Sequence, residues 1–184
     1  ACGSGSVATI TRNFLDTGVY YIAVDGNAES PFSLNVRLEA PIYPPANDPF
    51  FITVGATEDK GTPTLDADNL AAFSAYGTTE DGFAKPDLVA PGRNVIAPLS
   101  DKATTVYAAH PLYRVNDYYF RMSGTSMSAP MVTGAVALLL QDEPALNPDQ
   151  VKYRLKASAN KTWAGYDAAK MGAGYLDTYD MVWF

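Results

Sequence analysis

Hydrophobic positions along the chain fall into runs of distinct period. Val19–Val24 and Phe50–Val54 are continuous, β-branched and aromatic runs of the kind found in strands buried on both faces. The first run closes at Asp25-Gly26-Asn27 and the second at Gly55. Ser6–Asp16 is compatible with a helix ahead of them. Met131–Gln141 is a run of strong helix formers, with Pro130 tolerable only in the first turn. It is apolar on nearly all sides, so it is expected inside the protein rather than on its face. Asn147, Pro148 and Gln150 announce a further helix as N-cap, first helical residue and capping-box partner. Val151, Leu155 and Ala159 then form its inner stripe, and Lys152, Arg154 and Lys156 are expected on its wet side.

Between these runs the chain is punctuated. The Pro-rich Ala40–Ala46 cannot lie within a central strand or helix, and Gly61–Asn69 is polar and turn-rich. Lys85–Gly92 is a proline-bounded segment leading to a short strand at Asn94–Ala97, and Ser100–Asn116 reads as a long surface excursion. Alternation of strand and helix character without an internal repeat predicts an α/β fold.

Composition narrows the functional classes. A chain of 184 residues that is 47% hydrophobic and 18% charged can bury a substantial core. A formal charge of -7 without a Lys/Arg-rich run speaks against nucleic-acid binding. Cys2 is the only cysteine, so no internal disulfide or paired-cysteine zinc site can form. The strongly apolar Ala135–Leu140 is far short of the roughly 18 to 20 residues that cross a bilayer, so no membrane span is expected. No basic segment followed by an apolar one opens the chain, so no signal peptide is visible. Neither Gly-x-Gly-x-x-Gly nor a P-loop follows a strand, which removes the reason to read a dinucleotide- or phosphate-binding domain.

The chemistry concentrates at Gly124-Thr125-Ser126-Met127-Ser128-Ala129-Pro130, where Ser126 falls at the start of an apolar helix. Oriented backbone N–H groups at a helix N-terminus stabilise an oxyanion as a carbonyl is attacked, although a serine there is far more often a cap than a nucleophile. The seven-residue string as a whole resembles the nucleophile motif of the subtilisin-like serine proteases. Other segments resemble that family in the same order. Ile22–Asn27 is similar to its strand ending in Gly-Asn, Tyr43-Pro44-Pro45-Ala46 to the segment after it, and Ile52–Ala56 to the next core strand. Phe73–Gly77, Lys85–Gly92 and Gly172–Asp177 resemble its later motifs, so the likeness covers nearly the whole chain.

The resemblance implies a subtilisin-like three-layer α/β fold with a mostly parallel sheet, of which residues 1–184 would be the C-terminal part of one peptidase domain. It implies peptide-bond hydrolysis through an acyl-enzyme on Ser126. Asn27 and the backbone N–H of Ser126 would form the oxyanion hole, with Thr125 supporting that end of the helix. One such donor is worth about 2.7 to 4 kcal/mol, a figure measured on a member of that family. Read without the resemblance, Asn27 is a turn residue after Gly26. Val24, Asp25 and Gly26 would border the pocket for the residue before the scissile bond. A carboxylate from Asp25 would favour Lys or Arg there, whereas strand alternation can equally point it elsewhere.

The chain departs from the family at its triad. The family's aspartate and histidine precede the strand ending in the oxyanion asparagine, which here starts at Val19, and the single histidine is His110. Its flanks, Ala109 and Pro111, match no catalytic motif, so a surface-loop histidine is expected. The missing N-terminal half of the same domain is therefore an expected partner, and the isolated chain is expected to be inactive. The alternative is a non-catalytic pseudoprotease or interaction module, yet intact motifs at both Asn27 and Ser126 have no chemical reason to persist in one. Asn27 is followed by Ala28-Glu29 where the family places a glycine two residues on, and Ser30–Ala40 reads as a lengthened loop. The aromatic stretch Tyr113–Phe120 is expected to pack rather than touch substrate. Protein or peptide substrates and an extracytoplasmic location follow from the resemblance alone. So does the structural calcium that some members hold. Asp66 and Asp68 could contribute to a cation site, but scattered loop carboxylates are usually solvated, and neither a cofactor nor a metal ligand is assigned.

Overall fold

Strand Leu88–Pro91 organises the fold, with Leu88, Val89 and Ala90 all fully buried. The computed structural model describes residues 42–61, 64–99 and 105–183, all within the unit Glu39–Phe184. The strands are β1 (Val54–Glu58), β2 (Asn69–Leu70), β3 (Gly77–Thr78), β4 (Ala84–Lys85), β5 (Leu88–Pro91), β6 (Val95–Pro98) and β7 (Tyr119–Met122). The helices are α1 (Thr105–Ala109), α2 (Thr125–Asp142), α3 (Pro148–Ser158), α4 (Ala168–Met171) and α5 (Thr178–Val182).

The main sheet has the order β2-β1-β5. β1 and β5 run parallel in the register Val54↔Leu88 to Thr57↔Pro91, and β2 lies antiparallel on the other side of β1. β3–β4 and β6–β7 are separate antiparallel pairs. Successive residues of a strand face opposite sides, and β5 uses this to build layers. Leu88 and Ala90 face Val132, Ala135 and Leu139 of α2, Val151 and Leu155 of α3, and Met181 of α5. Val89 faces the other way, onto Trp163 and Met171, with Tyr166 and Tyr175 edge-on to the Trp163 ring at 6.2 and 5.3 Å. The result is an α/β arrangement with a mixed sheet.

The expected α3 forms as read. The Asn147 side chain accepts from the Gln150 amide and the Gln150 side chain accepts from the Asn147 amide, both at 2.9 Å. Val151, Leu155 and Ala159 are buried. Four expectations are corrected. Gly55 lies inside β1 rather than ending a strand at Val54. A Cβ there would stand 3.0 Å from each of Pro86, Ser74 and Val89 side chains, so glycine serves close packing rather than a turn. Phe50 and Phe51 are exposed and outside any strand. The helix α2 is not buried all round among the described residues. Ser128, Val132, Ala135 and Leu139 are buried, whereas Met131 and Leu138 are 40% and 53% exposed, because only one side meets the sheet. Lys152 and Arg154 of α3 do not simply face water. The Lys152 ammonium donates to Pro49 O and Phe51 O, and Arg154 pairs with Glu143 at 2.7 Å.

The excursion 100–116 is a surface feature where described, carrying α1 and a 3₁₀ turn at Pro111–Tyr113. Of Tyr113–Phe120 only Phe120 is buried; Tyr113 is exposed but sets its ring 6.4 Å from that of Phe120, and Tyr118 and Tyr119 are exposed. The readings at Ser6–Asp16 and Val19–Asn27 lie outside the described residues.

Candidate active site

Ser126 is the second residue of α2 and is exposed. The helix begins there because Gly124, its N-cap, takes φ +154° and ψ 159°, a conformation open essentially to glycine alone. No side chain caps the helix, and of its first-turn amides that of Met127 donates to Gly124 O at 2.9 Å. The positive end of the helix dipole adds to their pull on an anion.

The turn carrying Ser126 is fastened to the end of β5. The Gly124 amide donates to Gly92 O at 2.8 Å, and the buried Ser128 hydroxyl donates to Ala90 O at 3.0 Å. The Asn94 amide donates to Ser123 Oγ at 2.9 Å, just before the turn. Gly92 makes this closeness possible. A Cβ at that position would overlap Ser128 Oγ and stand 2.6 Å from Ala56 Cβ and 2.9 Å from Gly124 O. Sequence reading attended to Ser126 and missed these supporting residues. The available signal was the pairing of a glycine after Ala90-Pro91 with a second small polar residue two places past the serine.

Met127, next to Ser126, lines an apolar hollow of about 290 Å³ shared with Val95, Ala97, Val106, Phe120 and Met122. The hollow is built by β6, β7 and α1. Thr125 is the first residue of α2 and half-buried. Asn27, Val24, Asp25 and Gly26 lie outside the described residues. His110 sits between α1 and the 3₁₀ turn, exposed, with its ring edge-on to Tyr113 at 5.9 Å.

A separate charged cluster anchors the segment ahead of β1. Asp87 is 5% exposed and accepts from the Thr53 amide at 2.8 Å and from Lys85 Nζ at 3.0 Å. Lys152 Nζ lies 3.1 Å and Lys156 Nζ 3.7 Å from its other oxygen. Burial pushes the Asp87 carboxyl up, but the bonds from Thr53, Lys85 and Lys152 outweigh it and hold the group below the usual carboxylate range. Lys152 moves the opposite way to what its ion pair alone would give. Burial and the neighbouring Lys85 and Lys156 ammoniums lower it, against the pull of Asp87. The carboxylate, bonded from three directions, is the member whose charge the site favours.

Of the two loop carboxylates, Asp68 is buried and its carboxyl is pushed up, first by burial and then by Asp59. The side chain of Asp66 lies outside the described residues. Among the described residues no three His, Cys, Asp or Glu side chains are placed to hold a metal ion, and no helix is long and apolar enough to cross a membrane.

Comparison with known proteins gives the arrangement its family. The model of the Subtilase family, Peptidase S8, matches residues 3–175. The serine protease AprX of Bacillus subtilis (strain 168) is 42% identical over 131 residues, covering 71% of this chain and 29% of that protein. Two solved structures are similar at 29% identity. The Clostridium perfringens CspB protease has a TM-score of 0.56, covering 74% of this chain and 27% of that one. Fervidolysin from Fervidobacterium pennivorans, a keratinolytic enzyme related to subtilisin, has 0.57, covering 76% and 20%. The chain thus spans less than a third of each of these relatives. With the family model spanning most of its residues, the chain belongs to the subtilase family.

Proposed function

We propose that the natural protein containing this chain is a serine endopeptidase and that Ser126 is its nucleophile. The observation that carries the reading is the exposed Ser126 at the uncapped N-terminus of α2, inside the string Gly124–Pro130. An alcohol at neutral pH attacks a peptide carbonyl only if a base takes its proton, and the base needs a partner to hold its tautomer. In this reading both come from residues outside the chain, since His110 is exposed in the surface excursion. Asn27 and the Ser126 amide receive the oxyanion, Thr125 shapes that end of the helix, and Val24, Asp25 and Gly26 border the substrate pocket. Residues 1–184 act as the C-terminal part of one peptidase domain, and the isolated chain is inactive. The exposed α2 side chains Met131 and Leu138 then pack against the remainder of the domain. Substrates are proteins or peptides met outside the cytoplasm.

Hydrolysis of a denatured protein by the natural protein and its Ser126→Ala variant tests this. Loss of the nucleophile is expected to cost about 2 × 10⁶ in turnover, the figure known for a member of the same family. Equal rates would refute the assignment. A folded wild-type protein with no hydrolysis would favour the non-catalytic alternative.

A further inference from the structure

We propose that Ser128 is a positioning residue for Ser126, holding the nucleophile's turn in register through its hydroxyl. The proposal rests on the reading of Ser126 as nucleophile. Two residues along an α-helix correspond to a rotation of about 200°, so a helix that shows Ser126 to solvent must turn Ser128 toward the interior. Ser126 is indeed exposed and Ser128 fully buried. A buried hydroxyl without a partner is costly, and this one donates to Ala90 O, 38 residues away in the core strand. The other two hydroxyls bonded to carbonyls in these helices behave differently. Thr133 donates to Ala129 O at 3.0 Å and Ser158 to Arg154 O at 2.9 Å, each one turn back along its own helix. Only the Ser128 hydroxyl among these three ties a helix to the sheet.

The consequence lies in where the ties fall. Gly124, two residues before Ser126, is bonded to Gly92 O, and Ser128, two residues after it, to Ala90 O. Ser126 therefore sits midway between two bonds to the same strand end. A shift of the turn along the helix axis would have to break one of them. The absent Cβ of Gly92 lets Ser128 come this close, and Ala56, paired with Ala90 in the sheet, closes the floor beneath. Ala56 and Ala90 are both fully buried. Removing the Ser128 hydroxyl frees one tie while leaving the helix and its packing in place.

Ser128→Ala in the natural protein should lower kcat about tenfold with KM unchanged, because a misplacement of a fraction of an ångström at a nucleophile is paid in the chemical step. Rates are to be counted per active site titrated with a fluorophosphonate, so that unfolded material does not contribute. Ser158→Ala is the control, removing the hydroxyl of another buried serine, 7% exposed against 0% for Ser128, whose bond stays within its own helix. It should lower the melting temperature and leave kcat per titrated site intact. A Ser128→Cys variant, which keeps a weaker donor, should fall between wild type and Ser128→Ala. If Ser128→Ala loses only melting temperature, as Ser158→Ala does, or raises KM instead of lowering kcat, the positioning role is overturned. If the wild type carries no label at Ser126, the nucleophile reading fails and this proposal with it.

Discussion

Replacing Asp87 by Asn should destabilise the fold more than removing any one of the lysines around it. The carboxylate is 5% exposed and faces Lys85, itself 2% exposed, Lys152 at 16% and Lys156 at 48%. Asn at 87 keeps one acceptor oxygen but no charge, and the other acceptors nearby, Phe51 O for Lys85 and Pro49 O and Phe51 O for Lys152, are neutral carbonyls. Two poorly hydrated ammoniums would then stand together without a counter-charge. Breaking a buried pair from one side typically costs about 3–5 kcal/mol, and that range is expected here. Lys156→Met removes a half-exposed ammonium 3.7 Å away and should cost at most about 1 kcal/mol. Lys152→Met should fall between, since Asp87 retains Lys85 and the Thr53 amide. Urea unfolding of the natural protein at neutral pH, followed by circular dichroism at a common slope, gives these differences directly. The carboxyl's lowered value adds a pH signature. The folded state binds this proton more weakly than the unfolded chain does, so the stabilisation is full above the ordinary value of 3.8 and is lost as pH falls through the lower folded value. Asp87→Asn should remove that acid-side loss. An Asp87→Asn cost no larger than that of Lys156→Met, or an unchanged acid limb, would refute the reasoning.

Three other outcomes are expected. In the 184-residue chain, Leu139→Ala should cost about 3 kcal/mol and Leu138→Ala within about 0.5, since the first is fully buried and the second 53% exposed; denaturant midpoints separate them. Asn147→Ala removes a capping box and should cost about 1 kcal/mol, read as a fall in melting temperature that a further Gln150→Ala barely deepens. Burial, followed by the Asp68 and Asp59 carboxylates, pushes the Tyr175 hydroxyl up to about 12. The fold thus holds this proton more tightly than the unfolded chain, and stability is full below the ordinary value of 10.0 and declines as pH rises toward about 12. Tyr175→Phe should flatten that alkaline limb by on the order of 2 kcal/mol.

Local signals were legible where one element sufficed to write them. Asn147-Pro148 and Gln150 specify a helix start through bonds three residues apart, and the structure makes both bonds. Gly124–Pro130 announces a turn into a helix, but the helix begins at Thr125, so Pro130 lies inside α2 and past the first turn in which it was expected. Non-local burial was harder to see. Met131–Gln141 looks apolar all round, but which side is covered depends on where β5 lies, and Leu138 is left exposed. Prolines 86 and 91 hid β5, because they bound a strand of only four residues whose N–H and C=O groups pair with β1 between them. Gly55 was misread because a glycine that ends a strand and one that admits Pro86 and Val89 look identical in sequence. The cluster at Asp87 joins residues as far apart as Pro49 and Lys152, so no spacing could reveal it. The same holds for the tie between Ser128 and Ala90. The site residues expected before Ala40 lie outside the described part of the chain.

The most direct test of the account is to react the natural protein with a fluorophosphonate and map the modified residue by peptide mass spectrometry, with the 184-residue chain treated in parallel. The account predicts a single adduct on Ser126 of the natural protein and none on the isolated chain, because it proposes that the base that activates the hydroxyl lies outside these residues. An adduct on another serine would contradict it, and equal labelling of the isolated chain would contradict the claim that the base lies outside these residues.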